Sequence, residues 1–227
     1  MVRTFDIGRE ILKLAAIATM TVDHVGAILY PDFSLLRIVG RVAFPLFAYL
    51  ITLGIEDTKK PARYLMTLFF FALISQVPYF LAFKMQPFEQ LNILFPLCLS
   101  ALALYLLNKK SIQSFFLVLP FALLFSIILN MEGSFYVILT VCCMKLLRIK
   151  PILGILSLVA VNLSVFPSNQ MFSLLALPLL LLHERGFLKR EIHIRGDSKY
   201  YLLRKYAFYI YYPLHLGFLY LINLFFF

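Results

Sequence analysis

The sequence that decides the fold reads LAAIATMTVDHVGAILYPDFSLLRIVGRVAFP, residues 14–45. It consists of two apolar segments, which Asp23, His24 and Arg41 interrupt with ionisable side chains. A charged side chain at the centre of a bilayer costs at least about 2.5 kcal/mol, so ionisable residues inside a membrane segment usually serve a function. We therefore expect the remaining segments to be arranged around these three residues.

The composition predicts an integral membrane protein. Of the 227 residues, 62% are hydrophobic and 14% are charged, whereas soluble domains carry about 25% charged residues. The apolar residues come in blocks of about 17–23 rather than at an amphipathic period, which is typical of membrane-spanning helices. We expect an all-α fold, a polytopic membrane bundle of about nine transmembrane helices (range about 8–10) in a single domain over residues 1–227.

The spans are predicted from the apolar blocks alone. Some of them, near residues 134–183, are at or below the length that crosses about 30 Å of hydrocarbon, so two could be half-helices or re-entrant segments. The candidate spans are 11–30, 34–56, 62–83, 91–107, 111–129, 134–147, 151–166, 170–183 and 206–227.

Lysine and arginine are distributed asymmetrically between the two sides of this bundle. With the N-terminus placed in the cytoplasm, all of the 21 basic residues except Arg37, Arg41 and Lys84 fall in cytoplasmic segments. The positive-inside rule therefore predicts a cytoplasmic N-terminus, an outer C-terminus and an odd number of spans. No small-residue cleavage site follows the first segment, which we expect to be an uncleaved helix.

The formal net charge of +10 does not indicate nucleic-acid binding, because the sequence has no zinc finger and no aromatic RNA-binding motif. The cysteines, Cys98, Cys142 and Cys143, lie in apolar segments without metal-ligand spacing. Cysteine in such a segment behaves as a small hydrophobic residue. We expect neither a metal site nor a disulfide framework.

Several ionisable residues are predicted to meet inside the bundle. His24, Arg41 and His215 lie at similar depths in their segments when about 1.5 Å is allowed per helical residue, with the histidines near the midplane. Asp23 and His24 diverge by about 100° around one helix, so Asp23 is expected to pair with Arg41 rather than to orient His24. Arg37 lies four residues before Arg41, so the two share a face.

Other polar residues have simpler interpretations. Glu132 falls in an outer loop and is expected to be solvated. Gln76 and Asn92 are expected to form hydrogen bonds between helices. A single buried histidine is usually a packing residue with a hydrogen bond, and it is the set of ionisable residues together that indicates a function.

Four runs of the sequence resemble the TraX family, and they occur in the family's order over nearly the whole chain. The resemblance implies an acetyl-CoA-dependent acyltransferase of the bacterial inner membrane, since the family's namesake acetylates the N-terminus of conjugative pilin. The runs are LKLAAIATMTVDHVG (12–26), IVGRVAFPLFAY (38–49), ALISQVP (72–78) and KYAFYIYYPLHL (205–216).

The resemblance also implies roles for individual residues. TraX-like proteins are distantly similar to integral-membrane O-acyltransferases, which carry a functional histidine in the first helix and an arginine near a proline in a following one. These positions correspond to His24 and Arg41. His24 is then the general base, with a covalent acetyl-histidine left open. Arg41 stabilises the developing oxyanion or holds Asp23, and His215 assists or binds the acceptor.

Acetyl-CoA is expected to approach from the basic cytoplasmic face, where positive charge attracts its phosphates. Residues 185–205 form a second basic stretch. The acceptor is expected to be a pilin N-terminus, a surface glycan or a lipid headgroup. Two other functions remain open: a proton-coupled transporter with Asp23, His24 and His215 as a relay, and a non-catalytic subunit of pilus or surface-polymer assembly. The candidate residues for binding acetyl-CoA are Arg37, Lys59, Lys60 and Arg63.

Overall fold

The computed structural model describes residues 2–108, 112–188, 191–195 and 198–226, with side chains described at residues 6–108, 116–188 and 206–226. A 3₁₀ helix, Asn169–Ala176, leads directly into α9. The elements in chain order are β1 (Val2–Asp6), α1 (Ile7–Ile28), α2 (Ser34–Gly40), α3 (Ala43–Asp57), α4 (Pro61–Ala82), α5 (Leu94–Leu107), α6 (Ile112–Ile128), α7 (Ser134–Ile149), α8 (Pro151–Leu163), α9 (Leu177–Glu184), β2 (Glu191–Arg195) and α10 (Ser198–Phe226).

The helices begin where the sequence supplies the usual start signals. The Asp6 side chain caps α1 by accepting a hydrogen bond from the Gly8 backbone N–H at 2.9 Å, which satisfies one of the free donors of the first turn. Pro61 and Pro151 occupy the first positions of α4 and α8. Proline is favoured there because its fixed φ suits a helix and its missing N–H would have no partner in the first turn.

The second apolar segment is not one continuous helix. It breaks at Arg41 and Val42, between α2 and α3. Pro45 lies in the first turn of α3 rather than in the middle of a longer helix, and it has no N–H to donate to the Arg41 carbonyl. The break places Arg41 at the end of a short helix that packs against the second half of α1.

Helix α1 runs opposite to α3 and in the same direction as α10. At one end of the bundle, Arg9 at the start of α1 pairs with Asp57 at the end of α3. At the other end, Asn223 near the end of α10 donates a hydrogen bond to the Ile28 carbonyl, which ends α1, at 3.3 Å. We call these the N-terminal end and the opposite end of the bundle.

The core lies between α1, α3, α5 and α7. It is apolar and tightly enclosed around Leu12, Leu46, Tyr49 and Met144, each with no exposed surface. Helices α4, α6 and α10 by contrast expose many large apolar side chains. Such continuous apolar faces indicate contact with lipid.

The span predictions are confirmed in part. Four apolar helical segments are long enough to cross a membrane: Ile7–Ile28, Ser34–Asp57, Pro61–Ala82 and Tyr206–Phe226. The apolar helices Leu94–Leu107, Phe116–Ile128 and Pro151–Leu163 are shorter. A helix of 14 residues, such as α5, extends only about 21 Å. The count of nine spans and the cytoplasmic N-terminus therefore stay predictions.

The helical class is confirmed for the bundle, and one short ribbon lies outside it. Strand β1 pairs antiparallel with β2, with Val2 opposite Arg195 and Asp6 opposite Glu191. The ribbon differs from the expected all-α fold, although residues 191–195 read EIHIR, a short alternation of polar residues with isoleucine that is typical of a strand. The pairing joins the start of the chain to the segment that precedes α10.

Candidate functional site

Asp23 in α1 lies between two arginines of the second apolar segment. Arg41 Nη2 donates to both carboxylate oxygens of Asp23. Arg37 Nη1 donates to Asp23 Oδ2 at 2.7 Å and to the Asp23 carbonyl at 3.0 Å. The Asp23 side chain is only 12% exposed, so these charge-assisted bonds are partly shielded from solvent, where they are strong. The predicted Asp23–Arg41 pair is confirmed, and Arg37 shares it.

Gly40 permits this pairing. A Cβ atom at Gly40 would lie 2.2 Å from the Asp23 Cβ and 2.6 Å from its Cα. Real Cβ atoms do not approach so closely, so only glycine lets α2 pack against α1 at this level. The Gly40-Arg41 dipeptide thus combines a close backbone approach with the charge that Asp23 requires.

Arg41 forms further hydrogen bonds, which leave fewer of its N–H groups available to a substrate. Its Nη1 donates to Gln170 Oε1 at 2.9 Å, and its Nε donates to the Arg37 carbonyl at 3.3 Å. Of the two roles expected for Arg41, this geometry favours holding Asp23 in place. Sequence reasoning missed Gln170, which the 3₁₀ helix brings to the site; the only signal was an amide at the start of an apolar segment.

His24 and His215 form a direct pair. His24 Nδ1 lies 2.6 Å from His215 Nε2, and His215 Nδ1 lies 2.9 Å from the Tyr211 carbonyl. A carbonyl only accepts, so in the neutral pair His215 Nδ1 carries a proton and its Nε2 accepts from His24 Nδ1. This assignment leaves a lone pair on His24 Nε2. The sequence predicts a similar depth for these residues, and the structure brings them together.

The depth expected for His24 differs from its place in the helix. His24 lies four residues before the end of α1, about 6 Å from that end and about 25 Å from the start. It is therefore nearer the opposite end of the bundle than the middle. The difference arises because α1 begins at Ile7, earlier than the predicted span, and ends at Ile28.

A cavity of about 690 Å³ joins the two ends of the bundle and passes His24. Its lining includes Arg9 and Lys13 at the N-terminal end, and Glu132 and Gln170 at the other. From Arg9 to His24 the distance along α1 is about 22 Å. The walls between are mostly apolar, and the cavity thus links a charged opening to the histidine. Its middle is lined by Phe44, Phe47, Leu50, Leu94, Leu97 and Phe208.

A second recess, of about 400 Å³, lies at the N-terminal end. Lys59, Lys60 and Arg63 line it, at the turn between α3 and α4. It shares Arg9, Gly54, Tyr64 and Tyr209 with the long cavity, so the two adjoin. The structure therefore brings these three predicted acetyl-CoA ligands together beside the opening of the cavity.

Arg37, the fourth predicted ligand of acetyl-CoA, lies elsewhere. It binds Asp23 in the second half of α1, far from the recess that contains Lys59 and Lys60. The second basic stretch, residues 185–205, lies largely outside the residues with described side chains. The structure thus separates Arg37 from the other three candidates.

Glu132 is not the solvated loop residue that the sequence predicted. It does lie in the loop between α6 and α7, but it lines the long cavity. Its Oε2 atom is buried and has no hydrogen-bond partner among the described residues. Burial raises the pKa of Glu132 from its ordinary 4.5 to about 7, against the opposing effects of a backbone hydrogen bond from Ile93 and of the positive charge of Arg41. The prediction failed because loop packing, which the sequence does not reveal, turns this residue inward.

Gln76 and Asn92 confirm their predicted role between helices. Asn92 Nδ2 donates to Gln76 Oε1 at 2.8 Å and to the Ala72 carbonyl at 2.8 Å. Gln76 Nε2 in turn donates to the Gln90 carbonyl at 2.7 Å. The segment before α5 is thereby fixed to α4.

A polar network at the N-terminal end was missed by sequence reasoning. The Tyr49 hydroxyl lies 2.8 Å from His183 Nδ1 and donates to Glu184. Arg148 bridges Glu184, at 3.2 Å, and Glu56. No sequence pattern links these residues. Together they connect α3, α7 and α9 at that end of the bundle.

Within the part of the chain that the structure describes, no three histidine, cysteine, aspartate or glutamate side chains are grouped as metal ligands would be. The candidate site therefore consists of the Asp23–arginine cluster, the histidine pair, Glu132 and the cavity that they line.

Comparison with known proteins adds a family and two relatives. The family model described as "TraX protein" matches residues 8–223. The chain is similar to the uncharacterised protein RP591 of Rickettsia prowazekii, with 32% identity over 48% of this chain and only 40% of that protein. It is also similar to the probable fimbrial assembly protein FimC, serogroup H1, of Dichelobacter nodosus, with 29% identity over 96% of this chain and 97% of that protein. No solved structure matches the chain.

Proposed function

Because the chain belongs to the TraX family, we propose that it is an integral-membrane acetyltransferase that moves an acetyl group from acetyl-CoA to an acceptor amine or hydroxyl. The observation that carries this proposal is the cavity that runs from a basic recess to His24. A long donor with an anionic head and a thin, uncharged arm fits such a shape.

The basic recess is the proposed site for the phosphates of acetyl-CoA. Lys59, Lys60 and Arg63 lie together there, and Arg9 joins the recess to the cavity. Lysine and arginine attract phosphate over some distance and bind it by charge-assisted hydrogen bonds. The pantetheine arm then extends along the apolar walls, which places the thioester near His24.

His24 is the proposed general base. In the neutral histidine pair its Nε2 has a free lone pair, because His215 and the Tyr211 carbonyl together hold the proton on Nδ1. The acceptor's nitrogen or oxygen attacks the acetyl carbonyl carbon, and its proton passes to His24 Nε2. The new C–N or C–O bond forms as the thioester C–S bond breaks, and the proton then passes to the departing thiolate. His215 is a positioning residue, as in other hydrogen-bonded histidine pairs.

The Asp23–arginine cluster supports this arrangement from the next position on α1. Arg37 and Arg41 hold Asp23, and Asp23 precedes His24 in the same helical turn. The cluster fixes α2 and the 3₁₀ helix against α1 and so maintains the cavity wall beside the base. Its two guanidinium groups also place positive charge near the developing oxyanion.

We further propose that the protein is a multi-pass protein of the bacterial inner membrane with its N-terminus in the cytoplasm. The basic recess then faces the cytoplasm, where acetyl-CoA is made. The acceptor approaches the opposite end, at the membrane or its outer side. The name of the relative from Dichelobacter nodosus, a probable fimbrial assembly protein, favours a pilin N-terminus, and a surface glycan is the other candidate.

The test uses the purified chain in lipid nanodiscs with labelled acetyl-CoA. We expect His24→Ala to lower acetyl transfer by at least about 100-fold, the usual range for loss of a general base, while acetyl-CoA binding persists. Arg63→Gln is expected to weaken acetyl-CoA binding instead. Thr19→Ala is the matched control on α1, because its hydroxyl bonds only to its own helix, at 2.7 Å from the Ala15 carbonyl.

A second proposed function is that of a non-catalytic subunit of pilus assembly, and its support is the name of that relative, a probable fimbrial assembly protein. In that case the purified chain binds no acetyl-CoA, and His24→Ala leaves pilus assembly intact. Proton movement into liposomes that depends on His24 and His215, without acetyl-CoA binding, would instead identify a proton-coupled transporter.

A further inference from the structure

Two polar atoms on the cavity wall lack a partner. Among the described residues, Glu132 Oε2 and the Tyr212 hydroxyl are buried and have no hydrogen bond of ordinary geometry, although the Ile93 backbone acts on both residues and Tyr79 acts on Glu132. Both residues line the cavity that His24 lines. A buried polar group without a partner destabilises the folded state, and a charged one does so more strongly. Such atoms persist where a ligand supplies the missing bond.

The loop that carries Glu132 is held firmly. The Glu132 N–H donates to the Leu91 carbonyl at 2.8 Å, and the Leu91 N–H donates to the Asn130 carbonyl at 3.1 Å. Asn92 beside Leu91 is bonded to Gln76 of α4 at 2.8 Å. The position of the carboxylate is therefore set by a framework that reaches α4, as expected for a preorganised binding group.

The surroundings of the two atoms connect them to the proposed base. The His24 ring lies 6.2 Å from the Tyr212 ring, centroid to centroid. Tyr212 in turn interacts electrostatically with Glu132. Arg41 and Asp23 also act on Glu132, but their direct bonds are to each other. Tyr212 thus lies beside the base, and Glu132 lines the same cavity without belonging to the Asp23–arginine cluster.

We propose that Glu132 and Tyr212 form the subsite that binds the nucleophilic group of the acceptor. This inference rests on the proposed transferase function and extends it to the second substrate. The group is an N–H or O–H donor: it donates to Glu132 Oε2, and the Tyr212 hydroxyl donates to its lone pair or to a neighbouring acceptor oxygen. An amine and a hydroxyl share this chemistry, and the subsite holds either one beside His24 Nε2.

The experiment measures acetyl transfer to two small matched probes. Alaninamide presents an amine where lactamide presents a hydroxyl on the same carbon skeleton. When the probe is varied at saturating acetyl-CoA, Glu132→Gln and Tyr212→Phe are each expected to raise the KM of the probe about tenfold or more. When acetyl-CoA is varied at a fixed probe concentration, its KM is expected to stay within about twofold of the wild-type value. The more efficiently acetylated probe identifies the class of acceptor. The controls are Glu89→Gln, an exposed carboxylate on the neighbouring loop, and Tyr220→Phe on the same helix.

A second readout does not depend on catalysis. A hydrophobic carbodiimide labels a neutral buried carboxyl, and mass spectrometry locates the label. We expect Glu132 to be labelled, the preferred probe to protect it, and Tyr212→Phe to weaken this protection about tenfold or more. An unchanged probe KM in both variants, together with no protection, overturns the subsite while leaving the transferase intact. Protection without acetyl transfer by the wild type overturns the transferase while the subsite stands.

Discussion

At the scale of single residues, Asp23 supplies the negative charge that balances Arg37 and Arg41 in the site. Two guanidinium groups surround its carboxylate, and its side chain is 12% exposed. Removing one member of a shielded ion pair leaves the others uncompensated, which is more damaging than removing the whole group. The cluster therefore behaves as a unit, and its members cannot be replaced one at a time without a large loss.

We expect Asp23→Asn to lower the free energy of unfolding by about 3 kcal/mol, because Arg37 and Arg41 lose their common partner. The double variant Asp23→Asn with Arg41→Gln should be less destabilised than the sum of the two single variants. Denaturant unfolding in detergent, followed by circular dichroism, measures both quantities. Strict additivity would show that the side chains do not interact.

The raised pKa of Glu132 predicts that the stability of the protein depends on pH. Burial raises its pKa in the folded chain from 4.5 to about 7, so the folded state keeps a proton that the unfolded state has lost between these pH values. Its contribution to stability is therefore present below about pH 4.5 and is lost as the pH rises through about 7. The groups that act on it are the Ile93 backbone and the side chains of Arg41, Asp23, Arg37, Tyr79 and Tyr212.

Glu132→Gln removes this dependence because the amide does not titrate. We expect the variant to have a higher melting temperature than the wild type at pH 8 and an equal one near pH 4.5. The measurement is a thermal-shift series across that range, with Glu89→Gln on the exposed part of the neighbouring loop as control. A constant difference between variant and wild type at every pH contradicts the assignment.

At the scale of elements, the contact between α1 and α2 depends on one missing methyl group. A Cβ at Gly40 would lie 2.2 Å from Asp23 Cβ, whereas a Cβ at Gly217 in α10 would meet nothing nearer than 4.0 Å. Alanine normally favours a helix over glycine by about 1 kcal/mol. Alanine should therefore destabilise the protein at Gly40 but not at Gly217.

We expect Gly40→Ala to lower the melting temperature and to disrupt the Asp23–arginine cluster, because α2 must move away from α1. Gly217→Ala is expected to leave the melting temperature unchanged or to raise it slightly. Thermal unfolding in detergent compares the two. A tolerated Gly40→Ala would mean that α2 packs less closely against α1 than the structure shows.

The elements also show which parts of the site the sequence could predict. The Asp23–Arg41 pair follows from the rule that a buried charge seeks an opposite partner, and it is present. The contact of His24 with His215 follows from comparable depth. Gln170 and Glu132 could not be predicted, because a 3₁₀ helix and a loop bring them in through tertiary packing. The periodicity of apolar residues does not show how a 3₁₀ helix or a loop packs against the helices.

The boundary between α2 and α3 depends on one residue that hydropathy does not register. Residues 34–56 are largely apolar and have the length of one span, and Ser34–Asp57 is a helical segment long enough to cross a membrane. Arg41 and Val42 keep helical dihedral angles. Pro45, however, has no N–H to donate to the Arg41 carbonyl, so the helical hydrogen bonding is interrupted there.

At the scale of the whole molecule, the cavity links two chemically different ends. The N-terminal end has the recess with Lys59, Lys60 and Arg63, and the opposite end has Glu132 and Gln170. A transferase that takes its donor from one side of a membrane and its acceptor from the other requires such a passage. The proposal therefore fixes which end faces the cytoplasm, and this orientation can be tested without knowing the acceptor.

We expect the loop between α3 and α4 to be cytoplasmic and the loop between α4 and α5 to lie outside, since lysine and arginine concentrate on the first side. In a variant with Cys98, Cys142 and Cys143 replaced by alanine, a new cysteine is placed at Lys60 or at Glu89, both exposed. A membrane-impermeant maleimide should label Glu89→Cys in intact spheroplasts and Lys60→Cys only after permeabilisation. The reverse pattern would place the basic recess outside, away from acetyl-CoA, and would refute the proposed direction of transfer.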